Sequence, residues 1–324
     1  MKIFFKATVV YLLACVALIV LFRDDPGAML LQMAKSIPHQ MTRIGMFSFW
    51  VLIPFVAFAI TRWKRGFGDR LPQIVGAFLA CSAIAVVFPM AKTTLPYVNP
   101  FWADGILAEI DRALHFGVDP WKIVLADPIR ISFFTADIVY VLLWMIPAIY
   151  FPFLLAFFDE NEDRRTRFSM LYLMNLSLIG LVLAGIFMSG GPIYHDYIMG
   201  GTDFAGLHAT LAERGIAESF AGRLHEGLWA AYVNQEHEAG SGISAFPSVH
   251  IAMATLIAVY VYELSPRFLP LSVLIVATYL FFSVYLGWHY AVDGYASMAV
   301  VLSAWAWMKR WKPSHNVAAQ LTLT

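Results

Sequence analysis

Residues 249–308 read VHIAMATLIAVYVYELSPRFLPLSVLIVATYLFFSVYLGWHYAVDGYASMAVVLSAWAWM. Three apolar runs, 249–263, 268–287 and 291–308, follow one another, each near the ~20 residues that carry a helix across a bilayer. Only short turns separate them. In lipid a backbone has no water to bond to and must close its own hydrogen bonds, so this tandem predicts antiparallel membrane helices.

Five further segments of the same kind precede it, at 7–22, 45–61, 72–90, 131–158 and 168–188. The predicted fold class is therefore all-α: a polytopic membrane helix bundle of about eight transmembrane helices, with a six-helix core behind two N-terminal helices. The corresponding division is an N-terminal helix pair at 1–66, a membrane-embedded core at 67–312 and a cytoplasmic tail at 313–324. Pro147 and Pro152 inside 131–158 predict a tilted or kinked helix.

Composition agrees with a membrane address. The chain of 324 residues is 60% hydrophobic and 14% charged, with a mean hydropathy of +0.68. Its formal charge is zero and its basic residues fall in short clusters between apolar runs, so no basic face is offered to nucleic acid. Cys15 and Cys81 each sit within an apolar run, as packing residues rather than disulfide or metal partners. The run at 7–22 continues past Cys15 to Phe22 and is read as a retained helix.

Loop charge sets an orientation. With the N-terminus in the cytoplasm, Lys2, Lys6, the cluster Arg62, Lys64, Arg65 and Arg70, the cluster Arg164, Arg165 and Arg167, then Arg267, Lys309, Arg310 and Lys312, all fall on the cytoplasmic side. The longer segments 23–44, 91–130 and 189–248 then lie outside, with 203–236 helical and interfacial and Trp102, Trp121 and Trp229 as interface anchors. Asp104 and Asp111, seven residues apart, are expected to be surface charges on a solvated helix.

Two histidines stand where packing alone gives them little reason to be. His250 follows Pro247 and Ser248, residues that start helices, so the free N–H groups of the next turn offer an anion site with an imidazole at its edge. His289 is followed four residues later by Asp293, one helical turn on. A carboxylate on one ring nitrogen fixes the tautomer and leaves the other nitrogen as a nucleophile. A lone interfacial histidine is usually a satisfied surface or core residue. Two on one side of the membrane, each with a supporting feature, favour catalysis by His250, His289 and Asp293.

The stretch GISAFPSVH (242–250) resembles the second motif of the type 2 phosphatidic acid phosphatase superfamily, and SVYLGWHYAVD (283–293) resembles its third. One helical hairpin separates them, as in that family, and the resemblance is good from about 168 to 308. It implies lipid phosphate chemistry through a phosphohistidine, with no metal and no other cofactor. Three basic positions of the family are lost. Ser283 stands where the third motif has Arg, and Ala184 with Gly191-Pro192 stands where the first motif has Lys and Arg-Pro. That pattern is similar to the inositol phosphorylceramide synthase branch.

Arg223 and His225 are the first choices to neutralise phosphate in place of the lost groups, with Lys92, Arg130 and Arg214 behind them. The expected substrate-binding set is Ser244, Ser248, Gly191, Tyr194, Arg223 and Tyr285, and His195 and Asp196 are further candidates to line a head-group pocket. The expected function is a membrane lipid phosphotransferase or phosphatase acting on outer-leaflet phospholipid or lipid phosphate, with a lipid alcohol or water as acceptor. The alternative from another class is a non-catalytic lipid-binding scaffold or transporter with the same fold.

Overall fold

The computed structural model describes residues 1–29, 31, 35, 67–126, 131–234 and 242–310. The expected span at 45–61, the residues Arg62, Lys64, Arg65, Arg130 and Lys312, and the tail at 313–324 lie outside them. The described chain forms helices α1 (Lys2–Phe22), α2 (Phe67–Val98), α3 (Asp104–Leu114), α4 (Pro120–Val124), α5 (Phe133–Phe158) and α6 (Glu162–Ile186). It continues with α7 (His195–Met199), α8 (Ala205–Glu213), α9 (Phe220–Val233), α10 (Val249–Leu264), α11 (Leu269–Tyr285) and α12 (Ala291–Arg310). No strand occurs among the described residues.

Among the described residues five helical segments are long and apolar enough to cross a membrane: α1, Gly68–Val98 of α2, α5, α6, and Pro266–Tyr285, which contains α11. The apolar helix α10 is shorter, and α12 has the length of a span at 20 residues. The outer faces carry exposed aliphatic side chains such as Leu13, Leu21, Leu79, Val273 and Leu274. Water would not tolerate that coat over so many helices, whereas hydrocarbon does. The chain is a multi-pass helical membrane bundle, as its sequence predicts.

The bundle packs through one large apolar cluster that draws Phe4, Tyr11 and Cys15 of α1, Phe151 of α5, Phe168 and Tyr172 of α6, Met253 and Leu256 of α10, and Val301 of α12. Because lipid tails are as apolar as leucine, such helices associate by close fit and by hydrogen bonds. Gly294 lets α12 press on its neighbours, since a β-carbon there would stand 2.6 Å from Leu280 and 3.2 Å from Ile251. Asn175 of α6 donates to the Ala252 carbonyl of α10 at 3.2 Å, and Ser272 of α11 to the Ala258 carbonyl at 2.7 Å.

The predicted kink in α5 is present. Tyr150 leaves helical geometry at φ −111°, ψ 19°, two residues before Pro152, which has no N–H to give. Nearer the start of the same helix, Ile138–Leu142 is wound as a π-turn.

The two ends of the bundle differ in chemistry. At one end Arg164 grips the Asp159 carboxylate at 2.6 and 2.7 Å, while Arg70 and Arg165 donate to the Asp159 carbonyl. Arg167 pairs with Glu263 at the last turn of α10, and Trp305 of α12 donates to the same carboxylate. The predicted basic clusters are thus partly cross-ties between helix ends. His250 opens α10 thirteen residues before Glu263, so the histidines lie roughly 20 Å away, at the opposite end.

At that second end the expectation for Asp104 and Asp111 fails. Spacing of seven is two helical turns, and the stripe Asp104, Leu107, Ala108 and Asp111 is the buried face of α3. The two aspartates are 0% and 3% exposed, while Ile106, Ile110 and Leu114 on the other side are 53%, 41% and 54% exposed. The helix turns its carboxylates inward and its aliphatics out toward lipid. Asp104 accepts the backbone N–H groups of Gly190 and Gly191 at 2.8 and 2.9 Å. Asp111 accepts those of Ala291 and Val292, the first turn of α12, at 3.1 and 2.9 Å. Burial raises both carboxyls, and these amide bonds pull back toward the charged form.

Asp111→Ala leaves the two N–H groups that open α12 without an acceptor, at a cost of ~1–3 kcal/mol each when buried. The detergent-solubilised variant is expected to unfold several degrees below the parent, whereas Glu109→Ala on the exposed side of the same helix leaves the midpoint in place. Equal midpoints for Asp111→Ala and the parent would remove the claim that this carboxylate holds α12.

Candidate active site

Ser248 caps α10, its hydroxyl accepting from the Ile251 N–H at 3.3 Å, and its own N–H donates to the Asp293 carbonyl at 3.2 Å. This bond ties the second motif to the third. His250 sits in the first turn of α10, and its ring lies flat against Tyr140 (centroids 4.7 Å apart, planes 8°) and Trp144 (4.0 Å, 22°) of α5. The π-turn at Ile138–Leu142 is the segment that presents Tyr140. No described group hydrogen-bonds the His250 ring nitrogens.

His289 faces His250, with ring centroids 6.0 Å apart. Its Nδ1 meets Asp293 Oδ2 at 3.2 Å, and the Tyr290 N–H donates to the same oxygen at 3.1 Å. With Nδ1 engaged, Nε2 is the nitrogen left for chemistry. Burial, then His250 and Lys92, hold the His289 imidazole well below its ordinary range, against the Ala245 backbone, which favours the charged form. The second Asp293 oxygen, Oδ1, is buried without a hydrogen-bond partner.

The loop before α7 closes the site from a third side. Gly191 has φ +85°, and a β-carbon on it would stand 2.4 Å from the Trp288 carbonyl and 3.0 Å from Ala245, so only glycine lets this loop lie on both motifs. Ser189 accepts the Ala245 N–H at its carbonyl (2.8 Å) and the Phe246 N–H at its hydroxyl (3.0 Å). On a fourth side stands Lys92 of α2, whose Nζ donates to the Ser244 carbonyl at 3.0 Å.

The structure thus brings His250, His289, Asp293, Ser248, Ser244 and Gly191 together. Several of these polar groups are already engaged: the Gly191 N–H by Asp104, and the Ser248 hydroxyl as a cap. The Ser244 hydroxyl is buried and has no partner. Tyr194 is buried beside the site, but its hydroxyl donates to the His225 carbonyl at 2.8 Å. Tyr285 both donates to and accepts from the Ile131 backbone. His195 bonds the Tyr290 hydroxyl at 2.8 Å, and that hydroxyl donates to Asp104, while Asp196 accepts the Phe204 N–H.

Of the first choices for a phosphate-neutralising cation, Arg223, in the first turn of α9, is exposed and donates to the Glu218 carbonyl just ahead of that helix. His225 is buried against Trp288 (centroids 4.0 Å), and burial, then His208, push its imidazole down to about 3, so it carries no charge at pH 7. Arg214 donates to the Leu125 carbonyl. Tyr140 and Trp144, which frame His250, were not foreseen. They lie one helical turn apart in an apolar helix and carry no motif, so nothing in the sequence marks them.

No curated protein and no solved structure matches this chain. The sequence profile of the PAP2 superfamily does, over residues 105–307, and this segment holds His250, His289, Asp293 and Asp111 but not Asp104. A match over more than half of the length, centred on this geometry, settles kinship at that level: the chain belongs to the PAP2 superfamily, and its chemistry is of the phosphatase and phosphotransferase kind on lipid phosphates.

Proposed function

We propose that the site cleaves a phosphate ester of a membrane lipid in two displacements. The observation that carries this reading is His289 held by Asp293 at 3.2 Å and facing the His250 ring, with centroids 6.0 Å apart. In the first step the lone pair of His289 Nε2 forms a bond to phosphorus, the ester P–O bond breaks, and the departing oxygen takes a proton from His250, which enters this step as the imidazolium that the bound phosphate's charge favours. Asp293 steadies the ring as it gains positive charge. In the second step an acceptor oxygen attacks phosphorus, His250 takes the acceptor's proton, and the P–N bond breaks to restore His289.

Water as acceptor gives a phosphatase, and a lipid alcohol gives a phosphotransferase. We favour transfer, in the manner of the inositol phosphorylceramide synthase branch, because Ser283 and Ala184 replace the basic residues of the phosphatase motifs. The site faces the non-cytoplasmic side in this proposal, since the histidines lie at the end of the bundle opposite the Arg164 and Arg167 cross-ties.

Orientation is tested by labelling single cysteines with an impermeant maleimide, in a background lacking Cys15 and Cys81. Gly227→Cys, at an open position on α9, is expected to react in intact cells, and Glu162→Cys, at the other end, only after permeabilisation. The reverse pattern would place the site in the cytoplasm.

The roles of the histidines are tested with a nitrophenyl phosphate ester, whose leaving group needs little protonation. His289→Ala should form no phosphoenzyme from any ester. His250→Ala should lose at least tenfold less activity on the nitrophenyl ester than on a lipid ester, and should accumulate acid-labile phosphohistidine because its second step lacks a base. Asp293→Asn should fall between the two. Acid-labile phosphoprotein in the His289 variant and none in the His250 variant would show that the two assignments are interchanged, and a His289→Ala enzyme with full turnover would end the catalytic reading.

A further inference from the structure

We infer that Lys92 is the phosphate-binding cation of this site, supplied by a helix outside the segment that the superfamily profile covers. The inference rests on the phosphoryl chemistry proposed above and adds the group that would neutralise its substrate. The phosphatase motifs carry that charge on their own basic residues, and here those positions are Ser283 and Ala184. A phosphate anion entering a buried site needs a cation to offset its charge.

Three observations point to Lys92. Its Nζ lies 3.0 Å from the Ser244 carbonyl, in the loop that leads to His250, which fixes the ammonium at the mouth of the second motif. It stands close enough to act electrostatically on both His250 and His289, and no arginine does. No carboxylate pairs with it among the described residues, although the carboxylates near the site, Asp104, Asp111 and Asp293, are all spoken for by backbone N–H groups or by His289. One carbonyl satisfies one of three ammonium protons, so this cation is under-neutralised until an anion arrives.

The backbone is arranged to keep it there. At Gly242 the motif loop lies directly on the turn of α2 that bears Lys92: a β-carbon would stand 2.9 Å from the Lys92 carbonyl carbon and 2.9 Å from the Thr93 nitrogen. Both are backbone atoms that cannot swing aside, so the approach requires glycine. The first residue of the motif thus serves to bring the loop and the cation together, and α2 becomes part of the site rather than a support for it.

The experiment uses the full-length protein in detergent and orthovanadate as the probe, an anion that occupies phosphoryl sites without being turned over. Parent, Lys92→Met, Lys92→Arg and His289→Ala are compared for vanadate affinity, for the split between KM and kcat on the nitrophenyl ester, and for the unfolding midpoint. Lys92→Met is expected to bind vanadate about tenfold to a hundredfold more weakly, the loss of one charge-assisted contact, with its midpoint equal to or above that of the parent because a buried charge has been removed. Lys92→Arg should recover part of the affinity. Undiminished vanadate binding by Lys92→Met overturns the assignment, and so does a loss that Lys92→Arg does not relieve and that comes with a lowered midpoint, which would make Lys92 a structural tie. A parent protein that binds no vanadate would sink the phosphoryl chemistry itself, and a parent that binds it while Lys92→Met binds equally would sink only the role of Lys92.

Discussion

Two carboxylates on one short helix hold the halves of this site in register. Asp104 binds the amides of Gly190 and Gly191, and Asp111, two turns later, binds the amides that open α12. Each bond replaces one that the amide would otherwise make to water, which a membrane interior does not supply. The spacing between the two aspartates is set by the helix they share. The distance between the glycine loop and the start of α12 is therefore set as well, and with it the position of His289 and Asp293.

The same device recurs nearby. Asp137 of α5 accepts the N–H groups of Phe220 and Ala221, at 2.9 and 3.0 Å, and so anchors the start of α9. Asp196 does this for Phe204 ahead of α8. The end of the bundle that carries the histidines is built from short helices and loops with many free backbone groups, packed around a second apolar cluster that includes Leu107, Trp121, Tyr194, Leu207 and Tyr290. Buried aspartates aimed at N–H groups are how such a cap is made rigid. At the other end, where long helices simply stop, arginine pairs serve instead.

The long helices were legible because hydrophobic runs report them directly. Seven of the eight predicted spans fall on helices, although α2 runs eight residues past its expected end and α6 starts six residues early, and the eighth lies outside the described residues. Pro152 announced its kink. The pairing of His289 with Asp293, and its nearness to His250, were legible because a spacing of four and the order of two motifs are local facts. What failed was the reading of groups whose role depends on a distant partner. Asp104 and Asp111 looked solvated because the glycines and amides they bind are some eighty and one hundred and eighty residues away. Their stripe with Leu107 and Ala108 held the signal, since a polar pair at both ends of an apolar face points inward with it. Arg223 was attractive for its nearness in sequence to His250, and nearness in sequence does not fix where a side chain points.

The clamp on His250 has a kinetic meaning. A ring pressed flat against Tyr140 and Trp144 cannot turn over without parting both stacks, so on the proposed mechanism the same edge would face the phosphoryl group throughout a cycle. If one edge both gives a proton to the departing oxygen and takes one from the incoming oxygen, the two oxygens occupy the same place at different times. The first product must then vacate that place before the acceptor can be activated. Such an enzyme works by strict alternation, with double-reciprocal plots that run parallel as the acceptor is varied.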